Sequence, residues 1–400
     1  MDVFRDCAEN GPKKIYEIQA LYNTDTTLEF VIQPDRDYVF ANDIYLHFSV
    51  HIDKHYIMDN QADKLFDSVE IIINNEKITS RSNANEYFLS SYFRTKSNHP
   101  MDHFNNILRP AGWFNGFNYN ANEIIALKMP DDMTEYEIKK GNALDYRLYH
   151  YYMQINTPLF LQTKPLPSDI PIQINFKRSQ ATLAVLKVEA AADTTYANSQ
   201  VALINPYLEI TAFTSENYKN KFDLSKGPIS YPVESDVIRT HVMDRGITHA
   251  TFGCTTGGKL PIKIFTGLID PVAFQGDVEK CATSFRRYGM HKIELFVDNK
   301  PLPGSQINVS QSNFIDAYTK FHRQCKFIPN NFAGKQLTLN EFTQTNFITA
   351  YDMSNITEKT GWLSVQVDFE ENLTEKVMLI VYMVFEKTIT FDKDRCVTMT

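Results

Sequence analysis

The chain has 400 residues, of which 43% are hydrophobic and 13% aromatic, and its formal net charge at pH 7 is −8. This composition excludes a disordered or collagen-like chain, and the length favours two or three domains that each bury a core. Basic residues occur in no run longer than a pair, which argues against a protein that binds nucleic acid mainly through phosphate contacts.

The first 20 residues are predicted to form an N-terminal arm. They begin MDVFRDCAENGPKK, which lacks the apolar run of a secretory signal, so we expect synthesis in the cytoplasm without secretion. The longest apolar run of the chain, Val377 to Phe385, is far shorter than the roughly 20 residues of a spanning helix, and we expect no membrane span.

The cysteines are odd in number, widely spaced and form no CxxC pair. This pattern favours a reducing compartment over a disulfide scaffold or a zinc ribbon. The five residues are Cys7, Cys254, Cys281, Cys325 and Cys396.

Alternation of apolar and polar residues predicts the strands of the first half. Residues 28–32, 44–52 and 170–176 each keep one alternation, and a period of two is typical of half-buried strands. Residues 44–52 place five apolar side chains on one face, each worth about 1.5–3 kcal/mol on burial. This burial fixes the register, because a slip by one residue would expose all five.

One short helix and one long connection are predicted between these strands. Residues 83–96 begin NANEYFLSSYF and have Asn83 and Glu86 at the spacing of a capping box. The connection 93–150 is long, polar and aromatic, and we expect it to be a surface excursion from the sheet.

The second half begins near residues 200–206 and repeats these elements. The small, polar stretch 189–200 and Asn205-Pro206 precede a new strand, YLEITAF. Residues 363–369 alternate like a half-buried strand, and the wholly apolar run 377–385 predicts a central strand covered on both faces. Residues 312–325 predict a second short helix.

The two halves resemble each other. Residues 65–78 (LFDSVEIIINNEKI) align with residues 289–302 (GMHKIELFVDNKPL), including the turns Asn74-Asn75 and Asp298-Asn299. The helical triplet Phe88, Leu89 and Tyr92 aligns with Phe314, Ile315 and Tyr318. A repeat of this length indicates two similar domains in tandem, since the unit of a solenoid has only about 20–50 residues. Short strands with a helix in a long connection favour jelly-roll sandwiches over an up-and-down barrel.

The histidines offer the most visible candidate metal site. His47, His51 and His55 have the spacing i, i+4, i+8, but on an extended strand successive members lie about 13 Å apart. This distance is too long for two ligands of one ion, so a solvent-facing or interface role is favoured. His99 and His103 lie in a predicted loop with no HExxH motif and no evident third ligand.

The other candidate groups have structural explanations. Cys325 lies near His322 in the predicted helix, and burial of a free thiol explains it better than nucleophilic catalysis does. Gly257-Gly258 lacks the spacing of a phosphate-binding loop and is interpreted as a turn. The carboxylate pairs lie beside turn residues and are interpreted as turn and cap acceptors; they are Asp35/Asp37 and Asp131/Asp132. We therefore predict no enzyme: no catalytic residue, no metal site and no cofactor.

Several segments carry a resemblance to a known family. In the second half they are 261–277 (PIKIFTGLIDPVAFQGD), 288–304 (YGMHKIELFVDNKPLPG) and 380–395 (IVYMVFEKTITFDKDR); in the first half they are 28–50, 65–78 and 170–179. In this order they resemble the double jelly-roll major capsid proteins of Polinton (Maverick) elements and the related adintoviruses. The resemblance is most specific in 261–304 and weakest in 93–150.

The resemblance implies an all-β fold of two tandem eight-stranded jelly-roll β-sandwiches, a double jelly roll, with short helices in the connecting loops. It divides the chain into an N-terminal arm (1–20), an N-terminal jelly roll (21–203) with the long loop 93–150, and a C-terminal jelly roll (204–400).

The same resemblance implies a structural protein of the virion. A homotrimer with a pseudo-hexameric outline would assemble an icosahedral shell around a double-stranded DNA genome, with a penton or minor capsid protein as a further partner. No sequence-specific contact with nucleic acid is implied. Two alternatives remain open from the residues alone: a tandem jelly-roll binding module, lectin-like or adaptor, and a jelly-roll glycan hydrolase, for which a secreted, disulfide-rich chain would have been expected.

Overall fold

The structure is a computed structural model of the 400-residue chain. It describes residues 13–33, 38–53, 55–57, 60–79, 86–98, 108, 111, 113, 146–162, 164–167, 170–187, 201–213, 224, 227–254, 258–277, 280–309, 314–324, 339–356 and 359–400.

The first half forms two antiparallel five-stranded sheets and one small two-stranded sheet. The strands are β1 (Lys13–Gln19), β2 (Tyr22–Asn23), β3 (Thr27–Ile32), β4 (Tyr38–Asp53), β5 (His55–Ile57), β6 (Phe66–Ile73), β7 (Glu76–Lys77), β8 (Tyr146–Gln154), β9 (Pro165–Leu166), β10 (Ile172–Arg178), β11 (Val185–Lys187) and β12 (Leu203–Phe213). The helices are α1 (Gln61–Lys64) and α2 (Glu86–Asn98), with 3-10 turns at Pro158–Leu161 and Ala181–Leu183. One sheet has the order β1-β12-β4-β8 with β9 beside β4, the other has the order β2-β3-β10-β6-β7, and β5 pairs with β11.

The second half forms two more sheets of the same design. Its strands are β13 (Ile229–Met243), β14 (His249–Gly253), β15 (Lys263–Ile269), β16 (Met290–Val297), β17 (Lys300–Pro301), β18 (Ile307–Asn308), β19 (Ile348–Asp352), β20 (Leu363–Phe369), β21 (Val377–Phe391) and β22 (Val397–Met399). Its helices are α3 (Pro271–Gln275), α4 (Ile315–Gln324) and α5 (Leu339–Gln344). The sheet orders are β13-β21-β15-β19 and β14-β20-β16-β17, with β22 beside β21 and β18 beside β16.

The two halves share one topology. Strands β1, β12, β4 and β8 correspond to β13, β21, β15 and β19, and β3, β10, β6 and β7 correspond to β14, β20, β16 and β17. Four strands in each of two facing sheets, paired in this crossed order, make an eight-stranded jelly roll. The predicted fold class, a double jelly roll with short helices in the connections, is confirmed.

The repeat seen in the sequence is a structural repeat. Each copy is a hairpin, β6–β7 and β16–β17, whose turn residues have positive φ: Asn74 50°, Asn75 66°, Asp298 50° and Asn299 61°. Asn and Asp tolerate this left-handed conformation, which two-residue hairpin turns require. The backbone amide of each first turn residue donates to the chain before the neighbouring strand, Asn74 to Pro171 and Asp298 to Trp362.

The predicted alternation is also confirmed where side chains are described. In β4 the apolar side chains of Ile44, Leu46, Phe48 and Val50 are buried, and in β20 all four apolar residues from Leu363 to Phe369 are buried. The run 377–385 in β21 is buried throughout, as predicted for a strand covered on both faces. On the outer face, Phe93 of α2 covers this strand at Tyr382.

Two strands of the first sheet, β1 and β12, lie across the predicted boundaries of the first half. β1 lies within the predicted arm 1–20, and it pairs with β12 from Lys13↔Phe213 to Gln19↔Tyr207. The predicted boundary at 203/204 falls inside β12, which lies between β1 and β4. Both strands belong to the first sheet because Tyr16 and Ile18 of β1, with Leu208 and Ile210 of β12, pack against the core.

The predicted helices are present with shifted bounds. The helix predicted at 83–96 is α2, Glu86–Asn98, and the helix predicted at 312–325 is α4, Ile315–Gln324. The predicted loop 93–150 overlaps the end of α2 and the start of β8, and most of its remainder lies outside the described residues.

Gly267 in β15 allows a close approach that a larger residue would block. A Cβ at this position would clash with the ring of Phe285, which packs over the strand. We expect Gly267→Ala to lower the free energy of unfolding by about 1–3 kcal/mol, because the ring or the strand must move.

Gly253→Ala is the matched control, because Gly253 also lies in a strand and has open space around its Cβ position. Its free energy of unfolding should change by no more than about 0.5 kcal/mol. Denaturant unfolding measures both variants, and equal midpoints would contradict the packing of Phe285 on Gly267.

Candidate functional site

The structure places the candidate histidines on one outer sheet face. His47 and His51 lie on the side of β4 opposite the buried row; the side chain of His55 lies outside the described residues. The ring of His47 stacks on Tyr207 at 4.5 Å, and its Nε2 lies 3.5 Å from Glu209. Burial lowers the pKa of His47, and the nearby Glu209 and Glu17 only partly oppose this effect.

The remaining sequence candidates are dispersed. His99, His103, Cys325 and the carboxylate pairs 35/37 and 131/132 lie outside the described residues. Gly258 has φ +87°, and its carbonyl accepts from the N–H of the distant Gly361 at 2.7 Å; Gly257 lies outside the described residues. Burial raises the pKa of the Cys254 thiol to about 12, which disfavours the nucleophilic thiolate. Within the described part of the chain, no group of three or more His, Cys, Asp or Glu could hold a metal ion.

Helix α2 is the most unusual element of the described structure. Its sequence, EYFLSSYFRTKSN, contains many polar residues, yet every residue from Glu86 to Ser97 is buried. Helices of this polarity normally expose one face. Here the helix lies between the halves, so both of its faces are covered.

Aromatic rings form the apolar part of this junction. Phe93 of α2 stacks on Tyr382 of β21, with ring centroids 5.0 Å apart and planes 11° apart. Phe285 lies 5.4 Å from Phe93 and 5.6 Å from Tyr92. Such aromatic pairs contribute about 0.5–1.5 kcal/mol each beyond the area that they bury.

A buried ion pair forms the charged part. The guanidinium of Arg94 in α2 donates to the carboxylate of Asp236 in β13 and to the backbone carbonyl of Asn156. The two side chains are only 10% and 8% exposed. Burial opposes the charge of Arg94, but Asp236 and Tyr382 outweigh it and raise the pKa of Arg94. The guanidinium of Arg94 therefore stays charged inside the junction.

A second buried carboxylate lies beside this pair in the first half. Asp63 of α1 accepts a hydrogen bond from Ser91 Oγ at 2.8 Å. Burial raises the pKa of Asp63 to about 7, although hydrogen bonds and the charge of Arg94 partly oppose the rise. Asp63 thus titrates near neutral pH.

Asp63 predicts a pH dependence of stability. Its folded-state pKa is above its unfolded value of about 3.9, so its contribution is fully present below that value and is lost as pH rises towards about 7. Asn keeps an acceptor for Ser91 but has no charge, so we expect Asp63→Asn to gain stability over the native chain as pH rises from 4 to 7. Denaturant unfolding at both ends of this range measures the difference; a constant difference would contradict the buried, titrating carboxylate.

Further hydrogen bonds cross the junction at other points. Lys64 Nζ donates to Thr283 Oγ1 at 3.1 Å, Tyr231 Oη donates to the Pro165 carbonyl at 2.8 Å, and Asn74 Nδ2 donates to the Arg395 carbonyl at 2.9 Å. The junction therefore joins the halves through apolar, ionic and hydrogen-bonded contacts, which is the arrangement of a structural interface.

Two recesses lie along the junction. One, lined by α2 and β13, has a volume of about 70 Å³, well below the ~300 Å³ of typical ligand pockets. The other is an open groove of about 1080 Å³ with charged walls. In the groove Lys263 pairs with Glu234 at 3.6 Å, and Lys259 Nζ donates to the Glu386 carbonyl at 2.8 Å.

Sequence reasoning did not find the junction residues. Arg94 and Asp236 are far apart in the chain, and each is an ordinary surface residue by type. One available signal was the apolar run 377–385, because a strand covered on both faces needs a second covering element.

Comparison with known proteins gives one partial sequence match and several full-length structural matches. No family model matches the chain. The curated "Uncharacterized protein F54H12.2" of Caenorhabditis elegans is 22% identical over 198 residues, covering 43% of this chain and 47% of that protein. The match therefore spans about half the length of this relative.

The structural matches span nearly the whole chain. The Sputnik virophage structure matches 98% of this chain and 88% of its own with a TM-score of 0.68 and 12% identity. The PBCV-1 virus capsid matches 98% of this chain and 97% of its own (TM-score 0.63, 10% identity), and the mavirus major capsid protein matches 96% and 90% (TM-score 0.61, 11% identity). At these identities the likeness shows the fold. In the described part of the chain, no helix has the length and apolarity to cross a membrane.

Proposed function

We propose that this chain is a major capsid protein, a structural protein of a virion. The observation that carries the proposal is the match of both halves at once, 98% of the chain at a TM-score of 0.68, to the Sputnik virophage structure. The duplication, the shared topology and the buried junction support a rigid building block. In this proposal the function of the chain is to assemble with other copies, and this function requires no catalytic residues.

The building block is a homotrimer of pseudo-hexameric outline. Two similar jelly rolls in each of three chains give six similar walls, and a six-sided block tiles a shell with few kinds of contact. We infer that such trimers form an icosahedral shell around a double-stranded DNA genome after synthesis in the host cytoplasm, with a penton or minor capsid protein as partner. The sequence resemblance favours a Polinton or adintovirus-like element as the source.

The two jelly rolls span residues 13–213 and 229–400 in this proposal. The first unit includes β1 and β12 because they complete its first sheet. The second begins with β13, the counterpart of β1. The net charge of −8 fits a shell whose chains do not hold the genome through many phosphate contacts.

Electron microscopy of the expressed full-length chain tests this function. Negatively stained samples over a range of salt concentrations should contain particles with a hexagonal outline, and concentrated samples should contain shells or ordered arrays. Single-chain particles under every condition would contradict the proposal. A binding module would instead remain a monomer. Its isolated second half would still bind a ligand.

A further inference from the structure

We propose that α4 of one chain docks on the outer face of the β1-β12-β4-β8 sheet of a second copy. This contact would repeat between chains the contact that α2 makes with the β13-β21-β15-β19 sheet within one chain. The inference rests on the proposed function, because it names the surface through which the capsid chains associate.

The contact within the chain provides the template. Phe93 and Arg94 project from α2 onto the outer face of the second-half sheet, and Tyr92 contacts Phe285 in the loop before β16. There Phe93 meets Tyr382, and Arg94 meets Asp236. An aromatic contact and an adjacent ion pair thus join one half to the next.

Helix α4 has the same place in the chain order of the second half that α2 has in the first. Both helices lie between corresponding strands, α2 between β7 and β8 and α4 between β17 and β19. Aligning Tyr92 with Tyr318 also aligns Arg94 with Lys320, so each helix has a basic residue two positions after the tyrosine.

The two helices differ in how much of them the chain covers. α2 is buried throughout, whereas α4 buries Ala317 and Phe321 and exposes Ile315 and Arg323. Ile315 is 63% exposed. We call Ile315, Thr319, Lys320 and Arg323 the α4 stripe; Ile315 and Arg323 are exposed, Thr319 and Lys320 are half-buried, and the exposed Asp316 lies on the same side of the helix.

The sheet that would receive the α4 stripe is uncovered in the same way. In the second half, Asp236 and Ile238 of β13 lie two residues apart on the outer face, and both are buried; Arg94 of α2 contacts Asp236. In the first half, Ile15 and Glu17 of the corresponding strand β1 lie two residues apart, and both are exposed, Ile15 by 66%. The outer faces of β13 and β1 therefore each have an acidic residue and an isoleucine two positions apart.

Charge and ring contacts make this face suitable for the stripe. Glu17 lies opposite Glu209 in the register of β1 and β12, and both side chains share the face with His47 and Tyr207. On the stripe, Lys320 pairs with Asp316 at 3.0 Å, which leaves Arg323 as its net positive charge. The face is therefore acidic and aromatic, and the stripe is basic and apolar.

The hairpin turns show the same difference: the first-half turn contacts the other half of the chain, and the second-half turn lies next to an exposed residue. In the first half, the turn at Asn74 binds the Arg395 carbonyl of the second half. In the second half, the backbone N–H of Asp298 in the corresponding turn donates to the Trp362 carbonyl, and Trp362 is 76% exposed. Helix and turn together indicate that, among the residues that the structure describes, the second half lacks the neighbour that the first half has.

A second copy supplies that neighbour and continues the pattern. The contact joins two different surfaces, so repeating it produces a ring when the rotation closes. Three chains, each with one internal and one external junction, close a ring of six halves.

The test reverses one exposed charge on each side. Arg323→Glu and Glu17→Lys should each raise the concentration at which the oligomer half dissociates by about tenfold or more, because each places like charges together. The double variant, R323E with E17K, restores opposite charges and should return that concentration to near the native value. Lys376→Glu is the control, because its exposed pair with Asp244 lies outside both surfaces; it should leave the oligomer unchanged.

Sedimentation over a concentration series gives the readout, and circular dichroism with thermal unfolding shows that each variant is folded. Rescue by the double variant excludes misfolding as the cause of dissociation. If the native chain forms oligomers and both single reversals leave them intact, this docking is wrong while the capsid function stands. If the native chain forms no oligomer, the proposed function itself fails.

Discussion

Replacing Arg94 with alanine is expected to lower the free energy of unfolding by about 3–5 kcal/mol. The substitution leaves the carboxylate of Asp236 buried without its cation, and the Asn156 carbonyl loses its donor. An uncompensated buried charge is among the largest penalties that a point mutation produces. Because the pair bridges the two halves, we also expect the loss of stability to separate their unfolding transitions.

Two comparison variants isolate this effect. Lys376→Ala removes an ion pair of similar type that is exposed, Lys376–Asp244 at 3.1 Å, and should change stability by about 0.5 kcal/mol or less. Arg94→Met combined with Asp236→Leu removes both charges and should recover much of the loss. Calorimetry or denaturant unfolding measures all three, and a loss below about 1 kcal/mol for Arg94→Ala would contradict a buried, ionised pair.

Phe93→Ala is expected to cost about 3–5 kcal/mol, the usual range for removing a buried aromatic ring. Phe93 is 1% exposed and is surrounded by Tyr382, Phe265 and Phe285, so the cavity would lie in the middle of the junction. Tyr382 and Phe265 are paired on neighbouring strands of one sheet, so their rings have little freedom to collapse into that space.

The internal repeat provides the control for Phe93. Thr319 is the aligned residue of α4 and is only partly buried, so Thr319→Ala should change the stability of the single chain by about 0.5 kcal/mol or less. Phe93→Leu keeps most of the volume and should fall between the two. Similar losses for Phe93→Ala and Thr319→Ala would mean that the two helices are equally buried, contrary to the structure.

The strands that the sequence predicted are those whose information is local. In β4 and β20 a period of two separates core residues from outer residues, and burial of residues such as Leu46 and Val365 depends only on that alternation. The repeated hairpin turns were equally local, since Asn74 and Asp298 adopt the conformation that their residue types favour.

Strands β1 and β12 could not be predicted in the same way, because their place in the first sheet depends on pairing between distant parts of the chain. β1 begins with two lysines, and its sequence alone is typical of an extended arm. In the structure it pairs with β12, almost two hundred residues later in the chain. The Asn205-Pro206 step reads as a domain break, yet it lies inside β12, at a register irregularity between Ile204 and Tyr207. Local composition could not reveal either pairing.

The junction residues could not be predicted from the sequence, because their burial also depends on a distant part of the chain. Ser90, Arg94 and Lys96 are typical of an exposed helix face, and only the second half turns that face into an interior. The long run 377–385 showed that something must cover β21, but it could not show that α2 does so.

Sedimentation of the full-length native chain most directly tests the claim that this fold is a capsid building block. The account predicts a discrete species with the mass of three chains, each of 46.2 kDa, that gives way to larger assemblies as concentration rises. A folded chain that remains a monomer at every concentration and salt condition would contradict it.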